Sequence, residues 1–178
     1  MKPGEPWGEH ERALRRFGAA LARDNRYIHD DRAAAALAEP LVRQTLLAFH
    51  NKDVSTGGAL EQRAQLLAHL IQRYRRHMRL IAANDEDGEW ASGASTSRPG
   101  DLRAAVHRLP LELREALLLV VVEGFSHARA AATLDITLTL LIQRLATARR
   151  ILGGAVQSDR GSAESMRWRG APHLRLIK

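Results

Sequence analysis

The segment from Leu109 to Leu152 constrains the fold more than any other part of the sequence. Pro110 indicates the start of a helix, because a proline in the first turn gives up no hydrogen bond of the helix. Gly124 fits the left-handed residue that often ends a helix, and Ser126 can cap the next helix through its hydroxyl. Asp135 tolerates the left-handed geometry of a tight turn, and Thr137 is the candidate cap of the helix that follows. The segment therefore predicts three short helices, of which the last two form a helix-turn-helix.

The last helix of this segment has two distinct faces. Its inner face is apolar at three- and four-residue spacing, through Leu138, Leu141, Leu145, Ala148 and Leu152. Its outer face carries Thr139, Leu140, Gln143, Arg144, Thr147 and Arg150. In a helix-turn-helix the first helix crosses the phosphate backbone and the second lies in the major groove. The mostly polar outer face therefore indicates a DNA-binding surface.

Individual side chains on this surface suggest individual roles. Gln143 and Arg144 can form hydrogen bonds with base edges, and Arg150 can reach a phosphate. Thr139, Thr147 and the capping Ser126 complete the predicted DNA contacts of this module. Two further residues are unusual for a DNA reader, because Leu140 is apolar on the outer face and Ile142 stands at its border.

A second basic feature is the helix predicted from Ala59 to about Ile81. Its second half places Arg73, Arg75, Arg76 and Arg79 around Tyr74. Such a cluster can hold phosphates and stack an unpaired base, as in proteins that bind single-stranded nucleic acid. The alternative is the solvated face of a helix in a three-helix core.

Composition limits the class of protein. The 178 residues carry a formal net charge of +7, which favours an anionic partner such as nucleic acid. No alternating strand pattern occurs, so an all-α fold is expected. There is no cysteine and no apolar run that could cross a membrane, and the start lacks the apolar core of a signal peptide, so a cytoplasmic protein is expected.

No motif for catalysis or metal binding is recognisable. The eight histidines include no pair spaced by four residues, and neither a phosphate-binding loop nor a nucleophile elbow occurs. We therefore expect a protein that is not an enzyme and has no cofactor, no metal and no small-molecule substrate.

The chain divides into four parts by composition. Residues 9–82 are predicted to form a helical bundle, 83–100 a flexible linker rich in acids, Ser and Gly, 101–153 the helix-turn-helix module, and 154–178 a basic tail. Within the bundle the first helix is expected from Glu11 to Arg23. Pro40 is expected to break or kink the chain.

Three stretches of the C-terminal module are distinctive together, namely Leu-Arg-Glu-Ala-Leu-Leu-Leu at 113–119, Glu-Gly-Phe-Ser at 123–126 and Arg-Leu-Ala-Thr-Ala-Arg-Arg at 144–150. They resemble the fourth conserved region of the ECF-type (extracytoplasmic-function) sigma factors, the promoter-specificity subunits of bacterial RNA polymerase. The resemblance implies a module that reads the upstream promoter element and rests on the flap of the polymerase.

The bundle resembles the second conserved region of the same family through residues 41–47 and 60–79. This resemblance implies that the helix ending at His50 grips the polymerase, with Leu41, Arg43 and Gln44 as contacts. It also implies that the basic helix captures the melted promoter strand through Arg73, Tyr74, Arg75, Arg76 and Arg79.

The expected function is therefore that of a sigma factor, with core RNA polymerase, promoter DNA and an anti-sigma factor as partners and with no membrane partner. One alternative is a degenerate sigma-like protein that binds an anti-sigma factor instead of starting transcription. The residues that motivate it are Pro40, Arg43, Leu140 and Ile142, where the family usually has other residues. A plain helix-turn-helix regulator is a third interpretation, but the additional basic module argues against it.

Overall fold

A computed structural model describes residues 6–23, 30–50, 58–84 and 102–168. All regular secondary structure in these ranges is helical, which confirms the expected all-α fold. The first three helices are α1 (Pro6–Ala22), α2 (Asp31–His50) and α3 (Ala59–Asn84). The others are α4 (Leu102–His107), α5 (Leu111–Leu117), a π-helical turn (Leu118–Val122), α6 (His127–Leu134) and α7 (Leu138–Trp168).

Helices α1, α2 and α3 pack against one another and form the N-terminal module. Phe17 and Leu21 of α1 meet Leu67 and Leu70 of α3 in a core where none of these side chains is more than 1% exposed. Gly18 permits a close approach of α1 to α2, because a Cβ atom there would lie 3.2 Å from that of Ala38.

Helices α4 to α7 form the C-terminal module, and α6 and α7 form the predicted helix-turn-helix. The Ser126 hydroxyl caps α6 by accepting a hydrogen bond of 3.3 Å from the Arg129 amide. Asp135 has φ of 55° in the turn, and Gly124 has φ of 67° before α6. Thr137 Oγ1 accepts from the Leu140 amide at 3.2 Å. These capping and turn predictions from the sequence are confirmed.

The π-helical turn was not expected from the sequence. It holds the run of three valines, and the Glu123 amide donates to the Leu118 carbonyl five residues earlier at 3.1 Å. The wider turn changes which side chains face inward. Val121 is 68% exposed although it is apolar, whereas Glu123 is buried although it is charged.

Pro40 does not break the chain, because α2 is continuous from Asp31 to His50. The proline is on the exposed side of the helix, where the carbonyl that loses its partner can face water. The buried residues Ala38, Leu41 and Val42 hold the helix on both sides of it. Tertiary packing therefore outweighs the local penalty.

The end of α7 also differs from the prediction, since the helix passes through Gly153 and Gly154 and reaches Trp168. Glycine lowers helix stability by about 1 kcal/mol, but it ends a helix only where it adopts the left-handed conformation. At the other end of α7, Leu138 is 46% exposed rather than on the inner face.

The two modules are in direct contact. Helix α3 packs on α6, and α1 packs on α5 and on the π-helical turn. Buried residues of both modules belong to one apolar cluster. The predicted linker lies outside the described residues apart from its first two positions.

Candidate nucleic-acid interface

The outer face of α7 exposes most of the predicted DNA contacts. Thr139, Gln143 and Arg150 are exposed, and Thr147 is half-buried. Leu140 and Ile142 interrupt this polar surface with 37% and 49% of their area exposed. The helix-turn-helix therefore presents a mixed surface in which polar groups able to bind DNA stand beside apolar groups.

Arg144 does not belong to this outer face. Its side chain lines a groove of about 610 Å³ between α3 and the C-terminal module. Its Nη1 atom is buried without a hydrogen-bond partner. A side chain that reads a base must point away from the core. Gln143 meets this condition in the structure, and Arg144 does not.

The predicted contacts on α3 are divided among different environments. Arg76 and Arg79 are exposed. Arg73 donates to Gln44 Oε1 of α2 at 3.2 Å. Tyr74 is only 2% exposed, so its ring packs in the core and is not available to stack on a base in this conformation.

Arg75 forms an ion pair with the C-terminal module. Its Nε donates to Glu115 Oε1 at 2.8 Å and its Nη2 to Oε2 at 2.5 Å. The Glu115 side chain is fully buried, and burial raises the pKa of its carboxyl even though Arg75 acts in the opposite direction. The hydrogen bonds from Arg75 to Glu115 raise the pKa of the guanidinium.

A second carboxylate of the C-terminal module is buried in the same interface. Glu123 Oε1 accepts from Arg16 of α1 at 3.2 Å. The Nε of Arg63 lies 3.0 Å from Oε2, which is an ion-pair distance without the angle of a hydrogen bond. The exposed fraction of the Glu123 side chain is 0%.

Arg114 completes the contact between the modules. It is 1% exposed and donates to the Leu21 carbonyl at the end of α1 at 2.9 Å. It also donates to the carbonyls of His107 and Leu109 at 2.8 and 2.9 Å. Sequence reasoning did not identify Arg114, Glu115 or Glu123 as functional. In the sequence, the available signal was that each of these charged residues stands four positions from a leucine that is buried.

The three residues predicted to bind polymerase lie on α2. Leu41 and Gln44 line a groove of about 410 Å³ between α2 and α3, with Leu37 and Leu80 also in its wall and Arg76 at its edge. Arg43 is exposed on the same helix but is not among the residues that line this groove.

Among the described residues, no three side chains of the metal-ligating types come together in a group. None of the helices in that part of the chain is long and apolar enough to span a membrane.

Comparison with known proteins gives a family match and one structural match. Residues 100–152 match the family model "Sigma-70, region 4". No curated protein matches the chain significantly. A solved structure of the sigma factor RpoE from Bartonella quintana, in complex with the anti-sigma factor NepR, is similar with a TM-score of 0.62 and 23% identity. The match covers 85% of this chain and 94% of that one. The C-terminal module is therefore similar to Sigma-70 region 4, and the chain as a whole has a fold similar to that of the sigma factor RpoE.

Proposed function

We propose that this protein is a sigma factor that binds core RNA polymerase and directs promoter recognition and transcription initiation. The observation that carries the proposal is the exposed outer face of α7 within a module that matches Sigma-70 region 4. The proposal requires no cofactor and no catalytic residue.

The geometry suggests how the C-terminal module contacts DNA. With α7 in the major groove, the Gln143 amide can pair with a base edge, since it offers one donor and one acceptor in a plane. Arg150 lies about two turns further along the helix and can bind a phosphate, which fixes the register without reading sequence. Thr139 and Thr147 have hydroxyls on the same helix.

The N-terminal module supplies a second basic surface. Arg76 and Arg79 are exposed on α3 and can neutralise phosphates of a promoter strand. The nearby groove between α2 and α3 has an apolar wall and a basic edge, which suits a polymerase surface that is apolar with acidic margins. Gln44 is exposed in the wall of this groove, and Arg43 is exposed on the same helix outside it.

Co-purification with core RNA polymerase, followed by run-off transcription on genomic templates, tests the proposal. We expect a polymerase complex that produces transcripts from specific promoters. Gln143→Ala should reduce selectivity among promoters, and Arg149→Ala is the matched control, because Arg149 is also exposed on α7 but lies outside the predicted contact set. A purified protein that never associates with core polymerase would contradict the proposal.

A second candidate function is favoured by the exposed apolar residues of α7. Leu140 and Ile142 are less suited to a DNA groove than to a protein partner. The structurally similar RpoE was solved in complex with an anti-sigma factor. A sigma-like protein that sequesters an anti-sigma factor would form a tight complex with that factor and fail to bind core polymerase, so the same purification distinguishes the two functions.

A further inference from the structure

The groove between α3 and the C-terminal module, here called the inter-module groove, has the size of a small-molecule site. Its volume is about 610 Å³, which lies within the range of pockets that hold small organic ligands. Both modules contribute apolar side chains to its wall, namely Ile71 and Met78 of α3, Leu111 of α5, and Leu134 and Ile136 where α6 ends. The inter-module groove can therefore hold the apolar body of a ligand.

The guanidinium of Arg144, which lines this groove from α7, has no partner for its donors. Its Nη1 is buried without a hydrogen bond, and none of its other nitrogens is hydrogen-bonded to a described residue. Its charge acts on the buried carboxyl of Glu115, but Arg75 already binds both oxygens of that group. A buried donor without an acceptor is costly. Arg144 therefore offers a planar set of N–H groups that an incoming acceptor would satisfy.

Two further guanidiniums line the inter-module groove from α3. Arg79 uses its Nε for the Arg75 carbonyl at 3.4 Å, and no residue of the described ranges pairs with its Nη atoms. Arg75 binds Glu115 through Nε and Nη2, which leaves its Nη1 available. The oxygens of a carboxylate or phosphate match the spacing of guanidinium N–H groups. Donors suited to such an anion therefore reach the groove from α3 and from α7.

Two carboxylates, those of Glu112 and Asp135, also line the inter-module groove. Both residues are exposed, so water and salt screen their charges. Neither forms an ion pair with Arg79 or Arg144 in the part of the chain that the structure describes. The charge of Arg144 is screened less because its Nη1 is buried. Three arginines against two exposed acids leave a positive balance that favours an anionic ligand.

We propose that the inter-module groove is a binding site for a small organic anion. Arg144 and Arg79 hold its carboxylate or phosphate group, and Met78 and Ile136 contact its apolar body. This site goes beyond the proposed function, because its ligand is neither nucleic acid nor polymerase. A ligand that binds the folded chain and not the unfolded chain raises the melting temperature by mass action.

Thermal denaturation of the full-length protein with three probes tests the site. Phenyl phosphate and benzoate carry the same apolar ring and differ in the anionic group, whereas inorganic phosphate lacks the ring. We expect at least one of the two aromatic anions to raise the melting temperature as its concentration rises. Inorganic phosphate at the same concentration and ionic strength should raise it less. Isothermal titration calorimetry then gives the dissociation constant of the aromatic anion.

Variants connect this binding to the inter-module groove. Arg144→Gln should weaken the aromatic anion by at least about tenfold, as loss of a hydrogen bond to a charged group does. Arg149→Gln is the matched control, because Arg149 is exposed on the same helix and its loss changes the net charge equally. It should leave the affinity unchanged. Met78→Glu places a carboxylate at a half-buried position in the groove wall and should also weaken binding, so the test survives if Arg144→Gln does not fold.

Four results overturn the proposal. The first is an unchanged melting temperature with both aromatic anions, and the second is an equal increase with inorganic phosphate, since the apolar wall would then contribute nothing. The third is an equal loss of affinity in Arg144→Gln and Arg149→Gln, which would indicate general electrostatic attraction. The fourth is an Arg144-dependent increase with a short single-stranded oligonucleotide and with neither aromatic anion, which would assign the groove to nucleic acid. None of these measurements involves polymerase, so the sigma factor function is tested separately.

Discussion

Helices α3 and α7 were both predicted to meet nucleic acid, yet they present their polar side chains differently. On α7 the outer face stands free, and Thr139, Gln143 and Arg150 are exposed as the periodicity requires. On α3 the basic cluster is divided, since Arg76 is exposed but Arg75 is bound by Glu115 of the other module. The difference shows that periodicity identifies a face, whereas the neighbouring module decides which charges on that face are available.

The largest effect is expected where the two modules are joined by the hydrogen bonds of Arg114. Arg114→Ala should destabilise the protein by about 3 kcal/mol or more, because it leaves buried carbonyls at Leu21, His107 and Leu109 without this donor. Chemical denaturation followed by circular dichroism measures the change in the free energy of unfolding. Arg108→Ala, at an exposed residue nearby, should have a small effect. Equal losses in the two variants would contradict the role assigned to Arg114.

The second prediction concerns α7 and separates two adjacent residues. Gln143→Ala should weaken binding to the preferred promoter by about 1–3 kcal/mol relative to other sequences, as loss of a base contact does. Arg144→Ala should leave this selectivity unchanged, because its Nη1 is buried in the groove between the modules. Competition binding with promoter and scrambled DNA measures both values. A larger selectivity loss for Arg144→Ala would reverse the assignment.

The third prediction concerns the part of the α3 cluster that remains exposed. Arg76→Ala and Arg79→Ala should each weaken DNA binding uniformly across sequences. Each should also reduce the slope of log affinity against log salt concentration by about 1, as loss of one phosphate contact does. Titrations at several salt concentrations give the slope. Arg32→Ala on α2 is a control with the same charge change, and an equal change of slope there would show that only net charge matters.

These comparisons also show how far the sequence could predict the molecule. The helix-turn-helix was predictable because its signals are local: Ser126 and Thr137 cap helices, and Asp135 takes the left-handed turn position. The burial of Tyr74 and the pairing of Arg75 were not, since both depend on packing between segments distant in sequence.

Two other differences arise where the helix propensity and the helical period of the sequence do not decide the outcome. The exposed position of Pro40 let α2 continue through it, because the lost backbone bond costs less where water can replace it. The π-helical turn rotated Val121 outward and Glu123 inward. A period of 3.6 residues cannot anticipate a single wider turn, and that turn places Glu123, one of the two buried carboxylates between the modules.

The smallest predicted effect lies at His10 of α1, which is 6% exposed. Burial lowers the pKa of His10, and the charge of Arg63, the partner of Glu123, lowers it further. A histidine whose pKa is lower in the folded state binds fewer protons there than in the unfolded chain. Its contribution to stability is therefore complete above the ordinary value of 6.5 and is lost as the pH falls through that value toward the lowered pKa.

Thermal denaturation between pH 8 and pH 5 should accordingly show a loss of stability on acidification. In His10→Gln this loss should be smaller, since glutamine does not titrate. His50→Gln is a suitable control, because His50 is exposed at the end of α2.

Glu115 acts in the opposite direction, since its raised pKa makes the folded state bind more protons as the pH falls. Combining His10→Gln with Glu115→Gln should therefore separate the response of α1 from that of the buried carboxylate. An unchanged pH dependence in His10→Gln would mean that His10 binds protons equally in the folded and unfolded states. The charge of Arg63 would then act on Glu123 and not on His10.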